Sequence, residues 1–142
     1  MLIKMYAIFI LIVALINVSC KPAGKYADLK EYLNDSIKAE EDYIAALERA
    51  NSAKEVAVAI TALGNKMEKL APKADILKNK YPELKTLDRK NLPVELKEEI
   101  EKLENMNQQW LTVSMKMMKY LMDSEVMKAN QELAKKVPSL FK

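Results

Sequence analysis

Val56, Ile60, Leu63, Met67, Leu70, Ala74, Leu77 and Tyr81 follow one another in steps of 4, 3, 4, 3, 4, 3 and 4. An α-helix turns once every 3.6 residues, so alternating fours and threes hold all of these side chains on one stripe. Such a seam is stable only when it is buried against other helices. This stretch therefore commits the chain to helix-on-helix packing. Pro72 lies inside the seam. A proline there removes one backbone hydrogen bond and crowds the preceding turn. The stripe keeps its phase beyond Pro72, so the spacing predicts a bent, continuing helix and not a terminus. A bend of this kind either opens a pocket or wraps the helix around its core. The unbroken seam favours the second.

The flanking segments carry the same signature. Tyr26, Leu29, Leu33, Ile37, Ile44 and Leu47 form an amphipathic stripe over about Lys25 to Ala50, flanked by Tyr32 and Tyr43. Glu40 occupies the stripe position between Ile37 and Ile44 and is expected at a bundle end or beside a lysine. Ser52 followed by Glu55 reads as a capping box that starts the second helix. The short connection before it makes the two helices antiparallel neighbours. Tyr81 to Pro93 reads as a connection, with Leu84 and Leu87 in a short turn under the bundle. Asn91 and Pro93 read as a helix start, with Glu95, Glu98 and Glu99 near its positive end. Leu96, Ile100, Leu103, Trp110, Met117 and Leu121 then follow in seven-residue register, with Asn107 and Ser114 in the intervening positions. One unbroken helix from Val94 to Val137 would be about 65 Å long at 1.5 Å per residue. After Leu121 the in-phase positions are Ser124 and Lys128, both polar, and apolar residues resume at Val126, Leu133 and Val137, with Asn130 between. A break is therefore predicted near Met122-Asp123-Ser124, with Ser124 capping a short last helix that ends before Pro138. Glycine occurs only at Gly24 and Gly64, and no stretch alternates at period two. The fold expected is all-α: an antiparallel helical bundle of three long helices plus a short C-terminal helix.

The first residues read differently. Lys4 is followed by an unbroken apolar run, Met5 to Ile16, and then by Asn17, Val18, Ser19 and Cys20. A basic start, an apolar middle and small residues before a cut form the layout of a secretory signal peptide. The uncharged interval from Met5 to Cys20 is shorter than the roughly 20 apolar residues of a spanning helix. Val-Ser-Cys after an apolar run resembles the lipobox of bacterial lipoproteins, with Asn17 standing where that family usually has leucine. The resemblance covers residues 1–20 and implies cleavage before Cys20 and attachment of lipid, palmitate included, to its thiol. Lys21 after the cysteine resembles the outer-membrane sorting signal of enteric bacteria. The organisation expected is a signal peptide at 1–19, a lipidated cysteine and short tether at 20–25, and a helical bundle domain at 26–142. Ordinary signal-peptidase cleavage and a short uncleaved anchor are the competing readings. A disulfide within the chain is excluded, because Cys20 is the only cysteine. A catalytic thiol is disfavoured, because the chain has no histidine to activate it.

Composition narrows the function. Lys4 leaves with residues 1–19, so 22 of the 23 basic residues remain against 20 acidic ones, a balance of +2. Mixed, nearly neutral charge gives no electrostatic case for nucleic acid. The absence of histidine removes the commonest general base. No glycine-rich phosphate loop or zinc spacing occurs either, so no enzyme is expected and no cofactor is assigned. The acidic runs Glu40 to Asp42 and Glu98 to Glu104 lack the Glu-x-x-His pairs of di-iron bundles. They read as solvated faces with helical pairs such as Glu98–Lys102 and Lys97–Glu101. The most unusual feature is "SMKMMKYLM" (Ser114 to Met122), with Met106 and Met127 nearby. Met115, Met118 and Met122 share one helix face, while Met117 belongs to the seam with Trp110 and Leu121. The methionines are read as core filling, as an adaptable contact face, or as soft thioether ligands for Cu(I). "ADLKEYLND" and "ANSAKEVAVAITALGNKMEKLAPK" weakly resemble the first two helices of the small periplasmic b-type cytochrome bundle. That likeness implies architecture alone, since the family's haem histidine has no counterpart here.

The function expected is a membrane-anchored, non-catalytic envelope lipoprotein acting as a helical binding or assembly module on the periplasmic or cell-surface face. Cys20 is its lipid site, and Trp110, Met115, Met118 and Met122 are the candidate contacts for an envelope partner or ligand. The alternative is a periplasmic soft-metal or small-ligand carrier using the methionine-rich helix.

Overall fold

The computed structural model describes residues 24–83 and 93–137. Cys20, the expected signal peptide at 1–19, Leu84, Leu87, Asn91 and Pro138 lie outside the described residues. Among the described residues four helices follow one another: α1 (Ala27–Arg49), α2 (Ala53–Lys80), α3 (Lys97–Met118) and α4 (Ser124–Lys136). A 3₁₀ turn, Val94–Leu96, leads into α3. No strand occurs among the described residues. Over the described residues the fold is all-helical, three long helices and a short one packed against each other.

Each boundary has a local cause. The Ser52 hydroxyl accepts from the Glu55 backbone N–H at 3.2 Å, and Glu55 Oε2 accepts from the Asn51 backbone N–H at 2.6 Å. This is the capping chemistry expected at that position, with the return bond displaced one residue upstream. α2 runs through Pro72 without ending. Residues 119–123 form turns between α3 and α4. The cap of α4 is Asp123, whose carboxylate accepts from the Glu125 N–H at 2.9 Å. Ser124 is instead the first helical residue. A carboxylate at this position also faces the positive helix end, which a hydroxyl cannot exploit.

α1 packs against α2 and α3, and α2 also packs against α4. Asp28 at the start of α1 pairs with Lys80 at the end of α2, Glu31 with Lys73, and Asp42 with Lys66. These pairs are solvent-exposed and worth little individually, so they fix register more than stability. α4 meets α2 at Gly64. A Cβ there would lie 3.3 Å from the Leu133 side chain. Lys136 pairs with Glu68 at 2.9 Å beside this contact.

The core contains the expected stripes of α1 and most of the α2 seam. Ile60 and Val56 are completely enclosed, whereas Met67, Leu70 and Ala74 are half-buried. α3 departs from the seven-residue register. Its buried apolar positions are Ile100, Leu103, Met106, Val113 and Met117, with Trp110 half-buried. Two successive steps of three, Ile100 to Leu103 to Met106, shift the seam by one residue. Met106 and Val113 thereby enter the core in place of the polar Asn107 and Ser114. The series 103, 106, 110, 113, 117 is itself an alternation of threes and fours, so the signal was present beside the one that the strict register follows.

Candidate functional site

α3 has two chemically different sides. The inward side faces α1 along its length. Near the start of both helices, Glu99 is 1% exposed, with Oε1 3.3 Å from Lys30 Nζ and 3.4 Å from Asn34 Nδ2. Its Oε2 has no hydrogen-bond partner. Sequence reasoning placed Glu99 on a solvated face with its neighbours. The seam shift that recruits Met106 also turns Glu99 inward. Glu98, by contrast, is exposed and forms the expected pair with Lys102 at 2.8 Å.

Further along the same interface, Glu40 is 4% exposed and accepts from the Trp110 indole N–H at 3.3 Å. Of the two settings expected for Glu40, a bundle end or a lysine partner, the lysine is not found among the described residues, and the Trp110 indole is its partner instead. Burial pushes the Glu40 carboxyl up to about 7, and the indole hydrogen bond offsets only part of that. The Trp110 ring lies 5.4 Å from the ring of Tyr43. The Tyr43 hydroxyl donates to Met117 Sδ at 3.6 Å, and burial pushes that hydroxyl well above its ordinary pKa. Trp110 therefore belongs to the α1–α3 contact: its ring packs on Tyr43 and its single donor is committed to Glu40.

The outward side carries Leu111, Met115 and Met118, which are 56%, 67% and 59% exposed, and Met122, 86% exposed, follows in the turn after α3. Steps of 4 and 3 align Leu111, Met115 and Met118 on one helix face, and the helix ends before Met122, so the expectation that Met122 shares that face is not met. Trp110 is thus separated from the other three candidate contact residues, and Leu111 takes its place beside Met115 and Met118. Leu111 could have been found by the spacing alone, since it precedes Met115 by four. The second half of α3 lies beside the end of α1, where Lys116 Nζ donates to the Glu48 carbonyl. Among the described residues no group of His, Cys, Asp and Glu side chains is placed to hold a metal ion, and no helix is long and apolar enough to cross a membrane. No known protein family, curated protein or solved structure matches the chain.

Proposed function

We propose that this chain is a lipid-anchored, non-catalytic protein of the bacterial envelope, tethered through Cys20 and serving as a binding or assembly module beside the bilayer. Its body is an antiparallel bundle of three long helices and a short one. The observation that carries the binding role is the exposed face Leu111, Met115 and Met118 of α3, with exposed Met122 in the turn that follows. Large apolar side chains exposed together mark interaction surfaces, whereas single ones need no explanation. Methionine suits such a surface because its unbranched thioether adapts to the shape of a partner. The tether reading rests on the Lys4, apolar run and Val-Ser-Cys pattern. Two or more acyl chains anchor a protein stably, and the few residues after Cys20 keep the bundle near the membrane surface.

The experiment is the mass of the mature N-terminus from native membranes, with labelled palmitate. A chain that begins at an acylated Cys20, with label lost in Cys20→Ala, is the expected result. A chain beginning at Lys21, or an uncleaved chain with free Cys20, rejects the tether.

The three exposed thioethers of Met115, Met118 and Met122 favour a second reading, a soft-metal carrier for Cu(I). Under that reading, replacing all three by leucine abolishes saturable Cu(I) binding. Under the module reading the same replacement leaves partner binding nearly intact, because leucine preserves the apolar surface.

A further inference from the structure

We propose that the second half of the α1–α3 contact is a proton-gated joint: loss of a proton from Glu40 parts α3 from α1 around Trp110, while α1, α2 and α4 stay packed. This goes beyond the module reading and holds with or without a tether or a partner. Its basis is an asymmetry along the interface. Near the start of both helices α3 is tied by charge, since Glu99 meets Lys30 and Asn34. Around Trp110 the ties are weaker: the indole N–H on Glu40, the Tyr43 hydroxyl on Met117 Sδ, and Lys116 on the Glu48 carbonyl. A thioether is a poor acceptor. The chain then leaves α3 through residues 119–123. There the Tyr120 N–H donates to the Met117 carbonyl and the Asp123 N–H to the Tyr120 carbonyl, three-residue turns that can flex without breaking a helix. α3 packs chiefly on α1, whereas α4 packs on α2. Moving the end of α3 therefore leaves the contact of Gly64 with Leu133 in place.

Glu40 supplies the force. It is 4% exposed, and a buried carboxyl is tolerated neutral but costly when charged. An ionised carboxylate offers about four acceptor positions, and the indole N–H fills one of them. No neighbouring charge makes up the difference. From α2 the charged groups alongside are Lys66, paired with Asp42, Lys73, paired with Glu31 and Asp35, and Asp75, which acts on Tyr32. From α3 they are Glu99 on Lys30, Lys102 on Glu98, Lys116 on the Glu48 carbonyl, and the half-buried Glu104. None of these contributes to the raised value of Glu40, whose causes are burial and, opposing it, the indole. On α1 the hydroxyls of Tyr32 and Tyr43 are held above their ordinary values and stay neutral throughout. Trp110 is half-buried, so its ring meets solvent while its N–H meets Glu40. Separating the two helices at this level lets water solvate the carboxylate.

The direction follows from linkage. In the closed joint Glu40 titrates at about 7, and in the open joint it returns to its ordinary 4.5. Below that lower value both forms hold the proton and the joint stays closed. As pH rises through the window, only the open form releases its proton. The ratio of open to closed chain therefore grows tenfold per pH unit, up to about 300-fold, and levels off above about 7. Opening adds Trp110 and Met117 to the exposed Leu111, Met115 and Met118. α3 thus presents more apolar surface at neutral than at acid pH.

The test titrates the full-length chain in phosphatidylcholine nanodiscs from pH 4.5 to pH 8.5. Acrylamide quenching reads the lone tryptophan, and methyl labels on Met, Ile, Leu and Val read the helices. The expected result is that Trp110 quenching and the Met117 methyl signal rise and shift together along one single-proton curve. The methyl signals of Ile60, Val126 and Leu133 should keep their folded positions across the same range. In Glu40→Gln, which holds the indole but cannot ionise, Trp110 should stay protected up to pH 8.5. In Glu99→Gln, which alters the other buried carboxylate of this interface, the curve should persist. Four outcomes overturn the proposal. Trp110 stays protected in the parent at pH 8.5; Leu133 and Val126 shift with the same midpoint as Met117, which is unfolding of the whole domain; the curve survives in Glu40→Gln; or it vanishes in Glu99→Gln. Should Glu40→Gln fail to fold by circular dichroism, the comparison of Met117 with Leu133 in the parent still decides.

Discussion

Ile60→Ala lowers the free energy of unfolding by about 2–5 kcal/mol, measured by urea denaturation at neutral pH. Ile60 is 0% exposed and lies on α2, the helix that packs against both α1 and α4. Truncation removes buried methyl and methylene groups and leaves a cavity that neighbouring helices close only in part. A domain of this size is stable by about 5–15 kcal/mol, so the loss is a large fraction of the whole. Val58→Ala is the control. Val58 sits two residues away on the same helix but is 61% exposed, and its truncation should change stability by less than about 0.5 kcal/mol. Similar losses in the two variants would refute the assignment of inward and outward faces on α2.

The second large effect is electrostatic and depends on pH. Glu40 has an ordinary carboxyl value of 4.5 and reaches about 7 in the folded chain, chiefly through burial. Between those two values the folded state holds a proton that the unfolded state has released. Stability therefore falls as pH rises through this window and levels off above about 7. The full difference is about 3 kcal/mol, from 1.36 kcal/mol per unit of pKa. Asp42, Glu98 and Glu132 act in the opposite sense. Hydrogen bonds from Lys66, Lys102 and Lys135 hold them below the usual range. Their small contributions are lost at more acidic pH, so the Glu40 window stands apart. Glu40→Gln keeps an oxygen for the Trp110 indole and cannot ionise. At pH 8.5 this variant should exceed the parent in stability by up to about 3 kcal/mol, and at pH 4 the two should be nearly equal. The lone tryptophan supplies a direct signal: parent fluorescence changes between pH 5 and pH 8, and the variant's does not. A parent protein with flat stability over that range would show that Glu40 is not enclosed with Trp110 as its only donor.

The helices were legible because their signal is local. The α2 seam, the Ser52 cap, the existence of a break before α4 and the Val126–Leu133–Val137 stripe all follow from spacing and cap chemistry over a few turns, although α3 ends at Met118, earlier than the Met122-Asp123-Ser124 break that the spacing predicts. The buried position of Glu40 was legible too, since it replaces an apolar residue in an otherwise regular stripe. Its partner was not. Trp110 lies 70 residues away, and only the packing of α3 on α1 brings the indole to the carboxylate. Glu99 escaped notice because the strict seven-residue register places it off the seam; it is in phase only with the shifted series Leu103, Met106, Trp110, Val113 and Met117, which packing on α1 selects.

The candidate contact face divides along the same line. Sequence alone determined that Met115 and Met118 share one side of a helix, because 100° per residue is a property of the backbone, whereas the end of α3 at Met118 took Met122 off that face. It also determined that this stretch lacks acids and carries two lysines. Tertiary structure decided which side of α3 meets α1, and so sent Trp110 inward and left the methionines with Leu111 in solvent. Two phases of threes and fours coexist on that helix, offset by one residue. A helix with two apolar sides can bury either, and the choice belongs to the neighbour whose surface it fits.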